Sequence, residues 1–235
     1  MTPDPASSAP PPPPVPSQGA APPAPPKRES DWWLMTKKFF QKGTSIASFS
    51  PSQGPLCRKM VSGIDFDAAR CIVELGAGTG PVTKELLKHA KPHTRVIVVE
   101  LDPDFCTRLR ERFPTAEVVE GDATKMEQLL AERGITAVDH VISGLPLPSF
   151  PAALRDAVIH ASAKVLTPAG TFRQLTNMPW VYMGLYKKYF ADVKFHFVPA
   201  NMPPSGVYVC RSYKPDAPGA TKPPESNLPP PAPPP

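Results

Sequence analysis

Short apolar runs alternate with amphipathic stretches through the middle of the chain, which has 235 residues. The apolar runs predict strands at 71–75, 95–101, 116–120, 138–143 and 171–175. Helical periodicity lies between them, at 82–90, 104–112, 126–133 and 151–166. Because the strands are apolar along their whole length and helices separate them, the pattern predicts an α/β fold with a mostly parallel sheet and helices on both faces.

The last two apolar runs, at 193–198 and 206–213, have no helical segment between them. A Pro-rich turn at 200–205 joins them instead. Strands with so short a connection pair antiparallel, because a parallel pair needs a longer crossover. The sequence therefore predicts an antiparallel pair at one edge of the sheet.

Proline marks the two ends of the chain as different from its middle. Of 36 prolines, twelve precede Lys27 and ten follow Lys214. Such stretches lack backbone donors and apolar bulk and favour extended polyproline conformations. We expect disordered tails at 1–29 and 215–235, N-terminal helices at 30–69 and one folded domain at 70–214. Spacers, weak partner-binding motifs and inert solubilising segments are all compatible with the tails.

A helix predicted at 31–42 has two contrasting sides. Its apolar side carries Trp32, Trp33, Met35, Phe39 and Phe40, and its polar side carries Lys37, Lys38 and Lys42. Aromatic residues opposite lysines are typical of a helix in the headgroup region of an anionic membrane. The alternative is a helix that docks on the protein core by its aromatic side.

The net charge of +5 comes from one block of the chain. Residues 27–60 hold seven basic and two acidic residues, which equals the whole excess. A nucleic-acid-binding domain often spreads basic residues over a broad face, so this distribution argues against that class of partner. A second helix, beginning at Ser50 and Pro51 and ending near Val61, belongs to the same block.

Several signals are missing from the sequence. No apolar run approaches the roughly 18 residues that a transmembrane helix needs, and residues 1–26 carry no signal-peptide pattern. We therefore expect a cytoplasmic protein. Its four cysteines, Cys57, Cys71, Cys106 and Cys210, show no metal-binding spacing, so we expect reduced thiols and no metal.

A glycine-rich loop, Glu74-Leu75-Gly76-Ala77-Gly78-Thr79-Gly80, follows the first predicted strand and opens a helix. Such glycines let the backbone turn tightly and approach a ligand closely. The three glycines have the spacing G-x-G-x-G, and Pro81 follows the third. A dinucleotide site would have the spacing G-x-G-x-x-G instead. Glycine turns after strands also serve packing alone, so the loop by itself leaves both interpretations open.

Acidic residues at the next two strand ends strengthen the ligand interpretation. Glu100 closes the second strand, where a carboxylate accepts hydrogen bonds from ribose hydroxyls, and Asp122 follows the third, where an acid accepts from an adenine amino group. The carboxyl ends of the strands line one crevice in an open α/β sheet. These residues thus predict a nucleoside-containing ligand above the sheet.

This arrangement resembles the class I S-adenosylmethionine-dependent methyltransferases. The resemblance implies a seven-stranded sheet with an antiparallel last strand and S-adenosylmethionine as the cofactor. It assigns cofactor binding to Glu74, Gly76, Ala77, Gly78, Glu100, Leu101, Gly121, Asp122, Ala123 and Ser143. It covers residues 70–213.

The fourth strand end, Ser143-Gly144-Leu145-Pro146-Leu147-Pro148, distinguishes between acceptors. Ribosomal RNA adenine dimethylases carry Asn-Leu-Pro-Tyr here, but this chain has Ser143 in place of the Asn and Leu147 in place of the aromatic residue. The motif is similar instead to that of the bacterial phospholipid N-methyltransferases, which act on phosphatidylethanolamine, and of their relatives that act on ornithine lipid. That resemblance implies a peripheral enzyme at the anionic inner face of the cytoplasmic membrane, with the helix at 31–42 as its membrane contact.

The same resemblance suggests candidate catalytic residues. Methyl transfer to an amine is a direct displacement, so we expect positioning groups rather than a protein nucleophile. Candidates are Ser143, Gly144, Leu145 and Tyr182. Aromatic residues follow the fifth strand at Trp180, Tyr182, Tyr186, Tyr189 and Phe190. They are compatible with a substrate lid that holds a quaternary ammonium, or with simple packing of a helix.

Two other functions stay open at this point. An RNA adenine methyltransferase shares the glycine loop, although the amide and aromatic groups it needs are missing from the fourth strand end. A noncatalytic adaptor could keep the cofactor fold and bind partners through its proline tails. Intact Gly76, Gly78, Glu100 and Asp122 argue against the adaptor.

Overall fold

The computed structural model describes residues 54–178, 180–214 and 216–218. The predicted helix at 31–42, the tail at 1–29 and most of the tail at 215–235 lie outside the described residues. The membrane-binding prediction for Trp32 to Lys42 therefore stays a prediction, as does the division of the chain into segments 1–29, 30–69, 70–214 and 215–235.

Seven strands form one sheet in the order β3-β2-β1-β4-β5-β7-β6. They are β1 (Cys71–Leu75), β2 (Arg95–Glu100), β3 (Glu117–Glu120), β4 (Val138–Ser143), β5 (Leu166–Thr176), β6 (Phe190–Val198) and β7 (Ser205–Tyr213). The first five pair in parallel, whereas β7 pairs antiparallel with both β5 and β6. The predicted fold, with an antiparallel pair at one edge, is confirmed.

Helices connect the parallel strands and cover both faces of the sheet. They are α1 (Gly54–Val61), α2 (Pro81–His89), α3 (Pro103–Arg112), α4 (Met126–Ala131), α5 (Ala152–Lys164) and α6 (Met183–Tyr186). Asp102 begins α3 by accepting hydrogen bonds from the backbone of Asp104 and Phe105 at 2.8 and 3.2 Å. Among the described helices, none is long and apolar enough to cross a membrane.

The boundaries around the fifth strand differ from the prediction. Helix α5 ends at Lys164, and β5 begins at Leu166 rather than at 171. Leu166 pairs with Val138, after which the register shifts. Pro168 lacks a backbone donor, and a Cβ at Gly170 would lie 2.9 Å from a backbone oxygen. The first residues of β5 do not form a continuous apolar run, so the sequence pattern did not predict them as part of the strand.

The two faces of the sheet bury separate hydrophobic clusters. One contains Leu75, Val141, Phe172 and Tyr208, under α4, α5 and α6. The other contains Ile72, Val98 and Ile142, under α1, α2 and α3. All four cysteines are buried and free.

A buried arginine connects α1 to the sheet. The Arg173 guanidinium, on β5, donates to the carbonyl oxygens of Met60 and Ser62 at 3.0 and 2.7 Å. These carbonyls lie at the carboxyl end of α1, where a cation is favoured by the helix dipole. Burial lowers the Arg173 pKa to about 10. The described part of the N-terminal helical segment is thereby fixed to the sheet.

Candidate functional site

The predicted glycine loop lies at the carboxyl edge of the sheet. Gly76, Gly78 and Gly80 all have positive φ, at 67°, 54° and 79°. These are left-handed conformations that a residue with a Cβ rarely adopts. The Gly76 amide donates to Val99 O at 2.9 Å, so the loop bends over the end of the neighbouring strand β2. The loop residues 76–80 are buried or half-buried, and α2 begins directly after them at Pro81.

Glu100 connects the glycine loop to the end of β2. Its Oε2 accepts a hydrogen bond from the Gly78 amide at 2.9 Å. Its Oε1 accepts from the amides of Leu101 and Asp102 at 2.8 and 3.1 Å. Burial raises the Glu100 pKa, although these three donors oppose the effect. Since a carboxylate oxygen has two lone pairs, Oε2 keeps acceptor capacity for a ribose hydroxyl.

Glu74 lies beneath the loop, against the first turn of α2. Its Oε2 accepts a hydrogen bond from Thr83 Oγ1 at 2.6 Å. Burial raises the Glu74 pKa to about 7, and the nearby Glu100 charge adds to the effect. Through this hydrogen bond, Glu74 fixes α2 to the end of β1. Sequence reasoning found Glu74 but missed its partner Thr83, which has no motif of its own.

The third strand end supplies a capped turn. Asp122 Oδ1 accepts from both the backbone amide and the hydroxyl of Thr124, each at 2.8 Å. The Gly121 amide donates to Glu100 O at 2.9 Å, which places this turn beside the ribose candidate. A Cβ at Gly121 would lie 2.7 Å from Leu129 Cδ1, and Ala123 is buried. Within the described residues, Asp122 Oδ2 has no hydrogen-bond partner and can accept from an adenine amino group.

The fourth strand end forms a loop at 143–148 that packs against the glycine loop. We call it the acceptor loop, after the role that the resemblance implies for it. The Gly144 amide donates to Leu75 O at 2.8 Å. A Cβ at Gly144 would lie 2.7 Å from Gly76 O. Ser143 is fully buried, and its Oγ accepts from the Leu145 amide at 3.3 Å. The structure thus brings Ser143, Gly144 and Leu145 together with the glycine loop, and Ser143 helps to shape the loop.

Gln174 is a candidate site residue that sequence reasoning missed. It lies on β5 in register with Ser143. Its Nε2 donates to Leu145 O at 2.7 Å and to Leu175 O at 3.0 Å. Gln174 is fully buried, yet its Oε1 has no hydrogen-bond partner in the described part of the chain. The signal that the sequence does carry is a glutamine near the end of an apolar strand, because a side-chain amide buried there requires hydrogen-bond partners.

The aromatic stretch after β5 does not form one cluster. Tyr186, Tyr189 and Phe190 are fully buried in the core, which favours the packing interpretation for these three. Tyr182 begins α6, and its amide donates to the Tyr208 hydroxyl at 3.1 Å. Its own hydroxyl donates to Met178 Sδ at 3.4 Å. Trp180 is exposed.

Comparison with known proteins agrees with this geometry. Residues 72–170 match a family model described as a methyltransferase domain. The ornithine lipid N-methyltransferase of Singulisphaera acidiphila is 50% identical over 180 residues, which cover 75% of this chain and 94% of that protein. This chain belongs to the same methyltransferase family. It is an S-adenosylmethionine-dependent methyltransferase, as the resemblance in its sequence implied.

Solved structures show the same fold. An O-methyltransferase from Bacillus cereus in complex with SAH matches with a TM-score of 0.55 and 14% identity, covering 75% of this methyltransferase and 89% of that chain. A TehB-like S-adenosylmethionine-dependent methyltransferase from Corynebacterium glutamicum matches with a TM-score of 0.52 and 14% identity, covering 76% and 98%.

Similarity to ribosomal RNA methyltransferases is confined to a smaller part of the chain. The probable ribosomal RNA small subunit methyltransferase A of Methanosarcina mazei is 34% identical over 113 residues, or 47% of this methyltransferase and 38% of that protein. This relationship was also expected from the glycine loop.

The residues at the carboxyl edge fit S-adenosylmethionine. Gly76 and Gly78 hold left-handed backbone conformations, which give the loop the tight turn that a close approach to the ligand needs. The buried Glu100 carboxylate and the free Asp122 oxygen offer acceptors at two successive strand ends. Ala77 and Leu101 complete the predicted set, and the Leu101 amide supports Glu100.

Proposed function

We propose that this methyltransferase methylates the amine of a membrane aminolipid, either ornithine lipid or phosphatidylethanolamine. The observation that carries the proposal is the 50% identity to an ornithine lipid N-methyltransferase, extending over 94% of that protein. A match of this length includes the acceptor side of the fold as well as the cofactor side.

The acceptor loop supports a lipid amine over an RNA base. Leu147 is fully buried and belongs to the core cluster that contains Tyr208. It therefore offers no face on which a flipped base can stack. Ser143 Oγ is engaged with the Leu145 amide, so it does not replace the side-chain amide that would hold an adenine.

The chain's own residues would mainly position the two substrates. The bound cofactor supplies an electrophilic methyl group on a sulfonium. Glu100 and Asp122 would hold its ribose and adenine, while the Gly76 backbone would support its methionine part. The acceptor loop would then present the amine in line with the methyl group and exclude water.

Gln174 is our candidate for orienting the amine. Its Nε2 holds the Leu145 carbonyl at 2.7 Å, and its unpaired Oε1 is an acceptor without a proton to donate. A neutral amine that donates one N–H to such an oxygen keeps its lone pair directed elsewhere, toward the methyl group. We expect Tyr182 to act at the margin of this site, since its hydroxyl lies at the surface beside Met178.

The proposed place of action is the inner face of the cytoplasmic membrane. The helix predicted at 31–42 supports it through its aromatic side and its lysines. Co-sedimentation with vesicles tests this part: equal binding to anionic and neutral vesicles would remove the role of the lysines.

Incubation with labelled S-adenosylmethionine tests the substrate class. Ornithine lipid, phosphatidylethanolamine and RNA are supplied as separate pools, and the label in each is measured. We expect label in at least one lipid pool, with successive methyl additions visible as separate products. Label in RNA alone would replace the proposal with RNA adenine methylation.

A further inference from the structure

Five large apolar side chains are exposed in the described part of the chain. They are Met178 (53%), Trp180 (63%), Val181 (60%), Phe197 (43%) and Met202 (75%). Single exposed apolar residues are ordinary, but a group of them marks an interaction surface. We call this group the apolar edge patch.

The patch lies at the carboxyl edge of the sheet, on the same edge as the candidate site. Met178, Trp180 and Val181 directly follow β5. Strand β6 runs parallel to β5, because both are antiparallel to β7. Phe197, near the end of β6, therefore reaches the same edge. Three strand spacings separate β6 from β4, or roughly 14 Å.

Ring contacts hold the patch together. The Trp180 ring centroid lies 5.1 Å from that of Phe197 and 5.9 Å from that of Phe195. The backbone of Trp180 has φ of 64°, a conformation that costs a bulky residue about 1 kcal/mol or more. Despite these ring contacts, Trp180 is still 63% exposed, so much of its apolar surface is available to an external partner.

Basic residues lie beside the patch. A groove of about 280 Å³ joins Phe197, Val198 and Pro199 to Arg58 and Lys59 of α1. Neither Arg58 nor Lys59 has a carboxylate within ion-pair distance among the described residues. An apolar centre with unpaired cations at its border is complementary to a lipid bilayer with anionic headgroups.

We propose that the apolar edge patch inserts into the headgroup region of an anionic bilayer and holds the carboxyl edge of the sheet against it. Trp180 and Phe197 are the central anchors, and Arg58 and Lys59 contact the headgroups. This contact is additional to the helix predicted at 31–42. It would orient the candidate site so that a lipid amine reaches Gln174 without leaving the membrane. That orientation rests on the proposed function.

The test compares two double variants of the full chain. Trp180→Ser with Phe197→Ser removes the apolar anchors, whereas Trp180→Leu with Phe197→Leu keeps apolar side chains at the same positions. Thermal unfolding confirms that both are folded. On vesicles of phosphatidylethanolamine and phosphatidylglycerol, we expect the serine variant to bind roughly tenfold or more weakly, because two apolar side chains no longer leave water. The leucine variant should bind nearly as the wild type does.

A charge variant tests the basic border. Arg58→Glu should weaken binding to anionic vesicles but not to neutral ones. Lys91→Glu changes the charge equally, but Lys91 follows α2 at the opposite edge of the sheet, where it pairs with Asp67 at 3.0 Å. It should leave vesicle binding unchanged.

Activity on two forms of substrate separates this proposal from the proposed function. The serine variant should lose methylation of lipid in vesicles but keep methylation of a short-chain aminolipid dispersed as monomers. If the serine variant binds vesicles as tightly as the wild type does, the patch proposal is wrong. That result is expected if the N-terminal segment or a second copy of the chain covers the patch. If the wild type methylates neither form while the vesicle results hold, the proposed function fails and the membrane contact stands.

Discussion

The Leu145 side chain occupies the space that a side chain at Gly76 would need. A Cβ at Gly76 would lie 2.4 Å from Leu145 Cδ2. The loop proposed to present the amine therefore packs directly on the loop proposed to hold the cofactor. This contact suggests that the two binding events are coupled, because displacing one loop displaces the other.

Gly76→Ala should disrupt both loops. The substitution adds strain at φ of 67° and a clash with Leu145, so we expect at least a tenfold loss of cofactor affinity and a loss of stability of about 1–3 kcal/mol. Calorimetric titration with S-adenosylmethionine and thermal unfolding measure the two effects. Gly63→Ala is the control, because Gly63 has φ of 73° but nothing within 4 Å of its added Cβ. Equal stability losses in the two variants would show that the Leu145 contact is unimportant.

Glu100→Gln should weaken cofactor binding. The amide nitrogen of glutamine cannot accept hydrogen bonds, and it would face backbone donors that now hold the carboxylate at 2.8 to 3.1 Å. We expect cofactor affinity to fall by roughly tenfold to a hundredfold. Glu120→Gln is the matched control, since Glu120 is in register with Glu100 at the end of β3 but is exposed. An affinity of Glu100→Gln within twofold of the wild type would contradict the assigned role.

Gln174→Leu should separate catalysis from cofactor binding. It removes the hydrogen bond to Leu145 O and the free acceptor oxygen, while the glycine loop, Glu100 and Asp122 are unchanged. We expect kcat to fall by about tenfold to a hundredfold with cofactor affinity nearly unchanged. Gln128→Leu removes an exposed glutamine on α4 and serves as the control. If cofactor affinity falls by as large a factor as kcat does, the role of Gln174 is purely structural.

The sequence predicted the sheet, its antiparallel edge and the acidic strand ends, because each depends on local periodicity or spacing. Gln174 and Thr83 were not predictable in this way. Each acts through a partner distant in the chain, Gln174 through Leu145 and Thr83 through Glu74. The apolar edge patch was missed for the same reason. It combines residues that follow β5 with residues at the end of β6 and in the β6–β7 turn, and these meet only once the sheet has formed.

The raised pKa of Glu74 predicts a pH-dependent stability. An unfolded chain releases this proton near the ordinary value of 4.5, whereas the folded protein holds it until about pH 7. The contribution of Glu74 to stability is therefore fully present below pH 4.5 and is lost as the pH rises to 7. Its carboxyl is fully buried, so the total loss is on the order of 3 kcal/mol.

Glu74→Gln should remove this loss, since glutamine is neutral at every pH and its side-chain oxygen can still accept from Thr83. Relative to the wild type, the variant should gain stability progressively between pH 5 and 7 and keep a constant advantage above that range. Urea unfolding at several pH values measures the difference. Glu85→Gln provides a contrast on helix α2, because Lys88 at 2.6 Å lowers the Glu85 pKa. That variant should be less stable than the wild type by a nearly constant amount over the same range. A stability difference for Glu74→Gln that does not change with pH would mean that the folded protein keeps Glu74 ionised.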